Sequence, residues 1–371
     1  MGAPHFDTLT HAANWYAVWL REAGLPLWAN AGISPRTGAF EEALTSDGSA
    51  VGGSHRARVQ ARQVFVYATC ADAGFGHGWR DVAQQGFGFF RAHFQRADGR
   101  FVVLVDEAGD ILDEATCLYE QAFTLLAMAA LSVRGGDGAK WRGEAERLLN
   151  ALQGQRHPAD GFRELGAHPF QSNALMHLLE AALAWEELGG GPTWAALANE
   201  IVALCLARFI DPDRGFLREF FDETWAPAAG DDGRWVEPGH QFEWSWLLER
   251  WGRARNDSAA QVAARTLYEH GLRGVDRTRG VAVNVLWDDL TVRDPVARLW
   301  PQTEYLKAAL IFGDEIEAVA AANCLARYLD VPARGAWRDK MLPDGTFVEE
   351  PAPASSFYHI VVAVLELLKQ V

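Results

Sequence analysis

The residues best suited to chemistry in this chain are histidines and acids that interrupt otherwise apolar helical stretches. His240 and Glu243 lie three apart. On a helix that places the carboxylate one turn from the imidazole, where it can orient the ring and raise its basicity. Asn173 and His177 are four apart, as are Arg58 and Arg62, so each pair shares a helix face. Tyr119, Glu304 and His359 stand singly, His359 just ahead of the apolar run from Ile360 to Leu365. Imidazoles titrate near neutrality and suit proton transfer. A guanidinium and a phenol suit an oxygen on which negative charge develops. Each residue also has a purely structural reading: a phenol in the core, a satisfied helix histidine, arginines paired with surface acids. The 15 tryptophans are mostly core, but any near a pocket would offer ring faces to the C–H surface of a bound ligand.

These side chains are far apart in the chain, so the elements that carry them must be arranged to converge. Helical periodicity starts near His5, Arg56, Trp79, Glu114, Ala139, Gln171, Pro192, Pro238, Ser258, Pro301, Asp314 and Ser355. Pro192, Pro238 and Pro301 fit the first helical turn, where a missing N–H costs nothing. A tight turn recurs between helices: Asp98-Gly99-Arg100-Phe101, Asp160-Gly161-Phe162, Arg214-Gly215-Phe216, Arg279-Gly280-Val281 and Asp344-Gly345-Thr346-Phe347. Residues 100–112 read as a β-hairpin with a glycine turn. The unit is a helix, a short turn, a second helix and a long loop, with a period of roughly sixty residues. A helix pair cannot bury both faces alone, so six pairs stacked in a closed ring are expected. Every polar residue named above falls near the start of an even-numbered helix. The expectation is an all-α ring of six inner and six outer helices, a single domain over residues 1–371. Long loops and short hairpins would gather at one end, over a central cavity.

Composition bounds the function. At 49% hydrophobic and 22% charged, the 371 residues can build a large core and are not a disordered chain. A net charge of −15 disfavours nucleic acid and anionic membranes, but leaves room for a basic pocket that binds an anionic sugar. Cys70, Cys117, Cys205 and Cys324 are widely spaced and apolar in context, which suits free thiols in a reducing compartment. The first residues lack a basic stretch followed by an apolar run, and no apolar run nears the length that spans a bilayer. The expected setting is cytoplasmic, with a small molecule as the partner, no nucleic acid, no membrane, and a monomer or homodimer as the assembly.

One segment, Pro238-Gly239-His240-Gln241-Phe242-Glu243-Trp244-Ser245-Trp246-Leu247-Leu248, resembles the signature of the N-acylglucosamine 2-epimerase family. Gln60-Ala61-Arg62-Gln63, Leu118-Tyr119-Glu120-Gln121-Ala122-Phe123, Asn173-Ala174-Leu175-Met176-His177-Leu178-Leu179-Glu180-Ala181 and Trp300-Pro301-Gln302-Thr303-Glu304 are similar to four further motifs of that family, in order. The resemblance runs from about Arg56 to His359 and implies an (α/α)6 barrel of the sugar isomerase and epimerase type. It implies that His359 takes the proton from C2. His240, steered by Glu243, would handle ring opening and the second proton transfer. Arg62, Tyr119 and His177 would stabilise the enediolate, and Glu304 and Asn173 would bind hydroxyls. It implies no cofactor and no metal. No nucleotide-binding loop is visible, which disfavours an ATP-regulated N-acylglucosamine epimerase. Both isomerisation and 2-epimerisation pass through the same enediolate. A mannose–fructose type isomerase is the preferred expectation, with a glucose–mannose, cellobiose or N-acylglucosamine 2-epimerase as the alternative. Three other classes stay open: a glycosidase using Glu243 and Glu304, a metal-dependent isomerase holding a cation through His177, His240, Glu243 and His359, and a non-catalytic sugar-binding protein.

Overall fold

Helices make the whole framework, and the strands only tie them at one end. A computed structural model describes residues 2–133, 137–158 and 160–371. In chain order the helices begin α1 (Leu9–Trp19), α2 (Leu25–Ala31), α3 (Ala57–Asp72), α4 (Trp79–Phe94), α5 (Leu118–Ser132) and α6 (Gly138–Ala151). They continue α7 (Ser172–Glu187), α8 (Pro192–Leu204), α9 (Pro238–Arg255), α10 (Ser258–Arg273), α11 (Leu299–Ile311), α12 (Glu315–Leu329) and α13 (Ser356–Leu368).

The single first helix expected near His5 is two helices. Thr8 caps α1 by accepting the His11 N–H, which fixes a later start. Pro26 then has no N–H to give to the preceding turn. That turn, Leu20–Gly24, winds as a π segment, and the Leu25 N–H reaches the Leu20 carbonyl. The helix expected near Glu114 starts four residues later, at Leu118.

Helices α3, α5, α7, α9, α11 and α13 each pack on the next of the six, and α13 packs on α3, so they form a closed inner ring. Helices α4, α6, α8, α10 and α12 each lie outside the inner helix before them in the chain, and α1 packs on α12 and α13. Burial follows from this layering. Outer α4 buries one stripe, Ala83, Gly86, Phe87, Phe90 and Phe94, at helical spacing. Burying each of its phenylalanines contributes about 1.5–3 kcal/mol. Inner α5 is enclosed on all sides, and every residue from Glu120 to Leu131 is buried. A polar residue on an inner helix therefore has to find a partner or face the cavity.

The five turns singled out in the sequence are where the loops start. Gly99, Gly161, Gly215, Gly280 and Gly345 all have positive φ, between 68° and 90°, a region where glycine alone carries no Cβ penalty. Four inner-helix glutamines then clamp the loops. Gln60, Gln121, Gln241 and Gln302 each accept the N–H and donate to the carbonyl of one loop residue: Phe40, Phe101, Leu217 and Ala282 respectively.

Short antiparallel pairs stitch the loop end together. The residues just ahead of α3, α7, α9 and α11 pair with the next long loop, as His55–Arg56 does with Leu104–Val105. Leu104–Val105 also pairs with Ile111–Asp113, which is the expected hairpin. The ring closes where Ala43–Leu44 in the first long loop pairs with Ala352–Pro353 ahead of α13. No helix among the described residues is long and apolar enough to cross a membrane.

Candidate active site

A cavity of about 330 Å³ opens at the loop end, where all six inner helices start. Arg58, Arg62, Tyr119, Asn173, His177, His240, Glu243 and His359 line it, so groups up to 301 residues apart in sequence number are brought together. Glu304 does not line it. It is fully buried behind His359, accepting from that ring's Nδ1 at 2.9 Å and ion-pairing the Lys307 ammonium at 2.5 Å. With both its oxygens engaged, Glu304 is not placed to bind a sugar hydroxyl, contrary to expectation.

His359 presents its other nitrogen to the cavity. The Glu304 contact assigns the Nδ1 proton, which leaves Nε2 as a lone pair. Burial, then the Arg62 and Lys307 cations, holds the ring well below the usual imidazole range, so it stays neutral. His240 is set the other way. Its Nδ1 lies 2.8 Å from Glu219 and 3.6 Å from Glu237. Burial opposes the charged ring, but those carboxylates overcome it and raise His240 to about 10. The surroundings thus push two imidazoles over one cavity in opposite directions, His359 towards the neutral form and His240 towards the charged one. Both rings lie against Trp300, with centroids 5.0 and 5.7 Å from the indole.

The expected steering of His240 by Glu243 is not found. Side chains on a helix lean towards its N-terminus, so His240 reaches back to Glu237 and the loop carboxylate of Glu219. Glu243 instead lies 3.9 Å from His177 Nδ1, and neither of its oxygens has a hydrogen-bond partner among the described residues. Burial and the nearby Glu304 charge raise its carboxyl well above the usual range. His177 Nδ1 pairs with Glu180 at 3.3 Å, and burial lowers this ring to about 4. A neutral His177 with its proton on Nδ1 accepts through Nε2, so it suits a sugar hydroxyl better than an oxyanion.

The donors are on the opposite wall. Arg62 Nη2 donates to the Tyr119 hydroxyl at 2.6 Å and Nη1 to the Ser355 carbonyl at 3.2 Å, and its buried Nε has no hydrogen-bond partner among the described residues. Because Tyr119 accepts from Arg62, its own proton is free to point into the cavity. Burial raises the phenol's pKa, so it remains a donor. Asn173 Oδ1 is buried with no partner among the described residues. It is free to bind a hydroxyl.

Residues 38–363 match the sequence profile of the N-acylglucosamine 2-epimerase (GlcNAc 2-epimerase) family. The chain belongs to this family. It is accordingly a sugar isomerase or epimerase. It is 46% identical over 368 residues to the "Mannose-6-phosphate isomerase" of Rhizobium meliloti (strain 1021), covering 95% of each chain. The solved "D-mannose isomerase" superposes with a TM-score of 0.88 at 20% identity, covering 99% of this chain and 100% of that one. The cellobiose 2-epimerase of Bacillus thermoamylovorans B4167 does so with a TM-score of 0.87 at 16% identity, covering 98% and 100%. These two superpositions establish the (α/α)6 architecture.

In this N-acylglucosamine 2-epimerase family member the sequence reading missed Glu219, Lys307, Trp300, Glu237, Arg56 and Arg298. The last four line the cavity, and Glu219 and Lys307 support it. A turn-spacing signal existed for Lys307, one turn after Glu304, and for Glu237, one turn before His240. Glu219 is a loop residue with no periodic mark. Among the described residues three sets bring His and carboxylate ligand atoms within 4.8 Å of one another: His177–Glu180–Glu243, Glu219–Glu237–His240 and Glu243–Glu304–His359. In the last set the Lys307 ammonium already ion-pairs Glu304.

Proposed function

We propose that this enzyme interconverts an aldose and a ketose of the mannose–fructose type by proton transfer through an enediolate. The observation that carries the reading is that His359 and His240, each held at Nδ1 by a buried carboxylate, both line one cavity. The near-full-length identity to a protein named for mannose-6-phosphate isomerisation supports the substrate class.

The open-chain sugar lies between the two rings, against Trp300. As the pyranose opens, the C1–O5 bond breaks, His240 gives its proton to the ring oxygen, and the O1 hydroxyl returns a proton to His240 as the C1 carbonyl forms. His359 Nε2 then takes the proton from C2, and electrons move onto O1 as the C1–C2 double bond forms. Negative charge on O1 meets the buried Arg62 guanidinium and the Tyr119 hydroxyl that it holds, donors already in place before the charge develops. Return of the proton from His359 to C1, with the O2 proton passing to O1, completes the ketose. Asn173, His177 and the Glu243 carboxyl hold the remaining hydroxyls. Glu304 acts through His359 by fixing its tautomer.

The same pair supports a second reading. A protonated His240 on the opposite face from His359 could deliver a proton back to C2 and invert it, which is 2-epimerisation. One incubation of the protein with mannose in D2O, followed by NMR, separates the two. The isomerase reading expects fructose with deuterium at C1. Glucose without fructose would establish the epimerase instead, and no product with no deuterium at C2 would end both.

A further inference from the structure

Behind His359 lies a cluster of charges that does not open to the cavity. Lys307 sits on α11 one turn after Glu304, and its side chain is 0% exposed. Its ammonium ion-pairs Glu304 Oε2 at 2.5 Å, while Glu304 Oε1 accepts from His359 Nδ1 at 2.9 Å. The ammonium also lies 4.1 Å from the centre of the Trp246 ring on α9. Two more buried acids feel its charge, Glu180 on α7 and Glu243 on α9. Glu180 is held by His177 and by the Tyr358 hydroxyl. A buried lysine and glutamate are a costly way to join helices. Apolar residues of like volume in both places are often as stable, so stability alone does not explain the pair.

Counting protons gives the lysine a task. Burial pushes the Glu304 carboxyl up, and Lys307 is the largest influence against it. Burial also disfavours the Lys307 charge, but Glu304, Glu243 and Glu180 outweigh it and raise this amine, so it stays an ammonium. Without that charge the Glu304–His359 pair would draw in one more proton. On Glu304, the new O–H would donate to Nδ1 and leave the ring's own proton on Nε2. On the ring, both nitrogens would carry protons. Either way Nε2 loses its lone pair and cannot take a proton from carbon. Of the other groups facing the pair, Glu180 favours this uptake, and Arg62 and His177 oppose it. All three remain when Lys307 is removed. Glu243 offers no other place for the proton, because burial and the Glu304 charge already drive its carboxyl to the neutral form.

We propose that Lys307 is a positioning residue for the proton transfer: its ammonium stands in for a proton in the buried Glu304–His359 pair and so keeps the Nε2 lone pair of His359 free. It touches no substrate and acts through Glu304. The proposal rests on the reading that His359 is the base, and it names what holds that ring in the form a base requires.

The test reads the ring directly. Protein carrying 15N-labelled histidine is studied by NMR without sugar, and His359→Asn picks out the His359 signals among the 11 histidines. The wild type should show Nε2 free of hydrogen, and Lys307→Met should show it bearing hydrogen at neutral pH. The acid limb of kcat/KM for ketose formation from mannose should rise by about one to three pH units in Lys307→Met, the range for loss of an opposite charge. The sign follows because the base must be free. Activity falls as pH drops through the pair's pKa, which is higher in the variant. A lysine that only filled space would move neither reading. Glu304→Gln is the second variant, and it keeps the ammonium. Its amide has one oxygen, which the donor-only ammonium claims, and the NH2 is left to donate to Nδ1, so Nε2 should again bear hydrogen. Thermal melts check each fold, and Glu304→Gln decides alone if Lys307→Met does not fold. A hydrogen-free Nε2 in either folded variant, or an acid limb that stays in place, would overturn the assignment. The 15N signals need no substrate. A failed D2O incubation with the expected signals would thus remove the isomerase reading alone, and fructose formed by the wild type with unmoved signals in the variants would remove the role of Lys307 alone.

Discussion

Replacing Glu219 with glutamine tests how the acid of the pair is made. The Glu219 carboxylate is 2.8 Å from His240 Nδ1 and is the largest influence raising that ring to about 10 against the opposing effect of burial. Two unit charges about 4 Å apart interact by ~4 kcal/mol at an effective dielectric constant near 20, equivalent to ~3 pKa units. That is a ceiling, because Glu237 remains 3.6 Å away and the glutamine oxygen still accepts from the ring. A fall of about one to two units is expected, from about 10 towards 8–9. The assay is the pH dependence of kcat/KM for ketose formation from mannose, which reports the free enzyme. The sign follows from the required state. His240 must be protonated, so activity is lost as pH rises through its pKa, and the variant's alkaline limb should move to lower pH. At pH 7 the variant should keep most of its activity. At pH 9.5 it should lose roughly tenfold relative to the wild type. An alkaline limb that stays in place, with the protein folded, would refute the assignment of His240 as the acid.

Further outcomes follow from the same geometry. His359→Asn should slow deuterium exchange at C2 by about 10²–10⁴-fold, the contribution of a positioned general base, while sugar binding persists. Exchange at the wild-type rate would remove His359 from the reaction. Lys307→Met leaves Glu304 buried without its ammonium, and breaking such a pair should cost about 3–5 kcal/mol in urea unfolding. A loss under 1 kcal/mol would mean that Glu304 is already neutral. Gln121→Leu strips both partners from the Phe101 backbone and should destabilise the fold by about 2–4 kcal/mol. An unchanged unfolding midpoint would show that water replaces the clamp.

Much of this arrangement is legible in the sequence because a closed helical ring is periodic. A polar residue in the first two turns of every second helix must face the centre or find a partner, so His177, His240 and His359 are visible by position. The tight turns are equally visible, since a positive φ selects glycine at each. Partner choice is not legible. His240 and Glu243 have the spacing of a helix pair, yet the tilt of the side chain sends the imidazole towards Glu237 and a loop acid that carries no periodic mark. Glu304 looks like a cavity residue by its spacing, and only packing shows that its oxygens are taken by His359 and Lys307. The clamping glutamines sit within the quoted motifs, recurring about every sixty residues or twice that. An amide gives no hint from composition that its work is to hold a distant loop.

The seam of the ring has a consequence for how the protein comes into being. Ala43–Leu44 pairs with Ala352–Pro353, Gln63 donates to the Ala354 carbonyl, and Arg62 to that of Ser355. His359, the proposed proton acceptor, is thus carried by the last inner helix in chain order, and it meets its guanidinium neighbour only when the two extremities of the circle join. A growing polypeptide on the ribosome would be catalytically silent until that junction forms. Such long-range closure is also intrinsically slow. Loosening the junction alone should therefore delay the gain of activity on refolding far more than the gain of helix content.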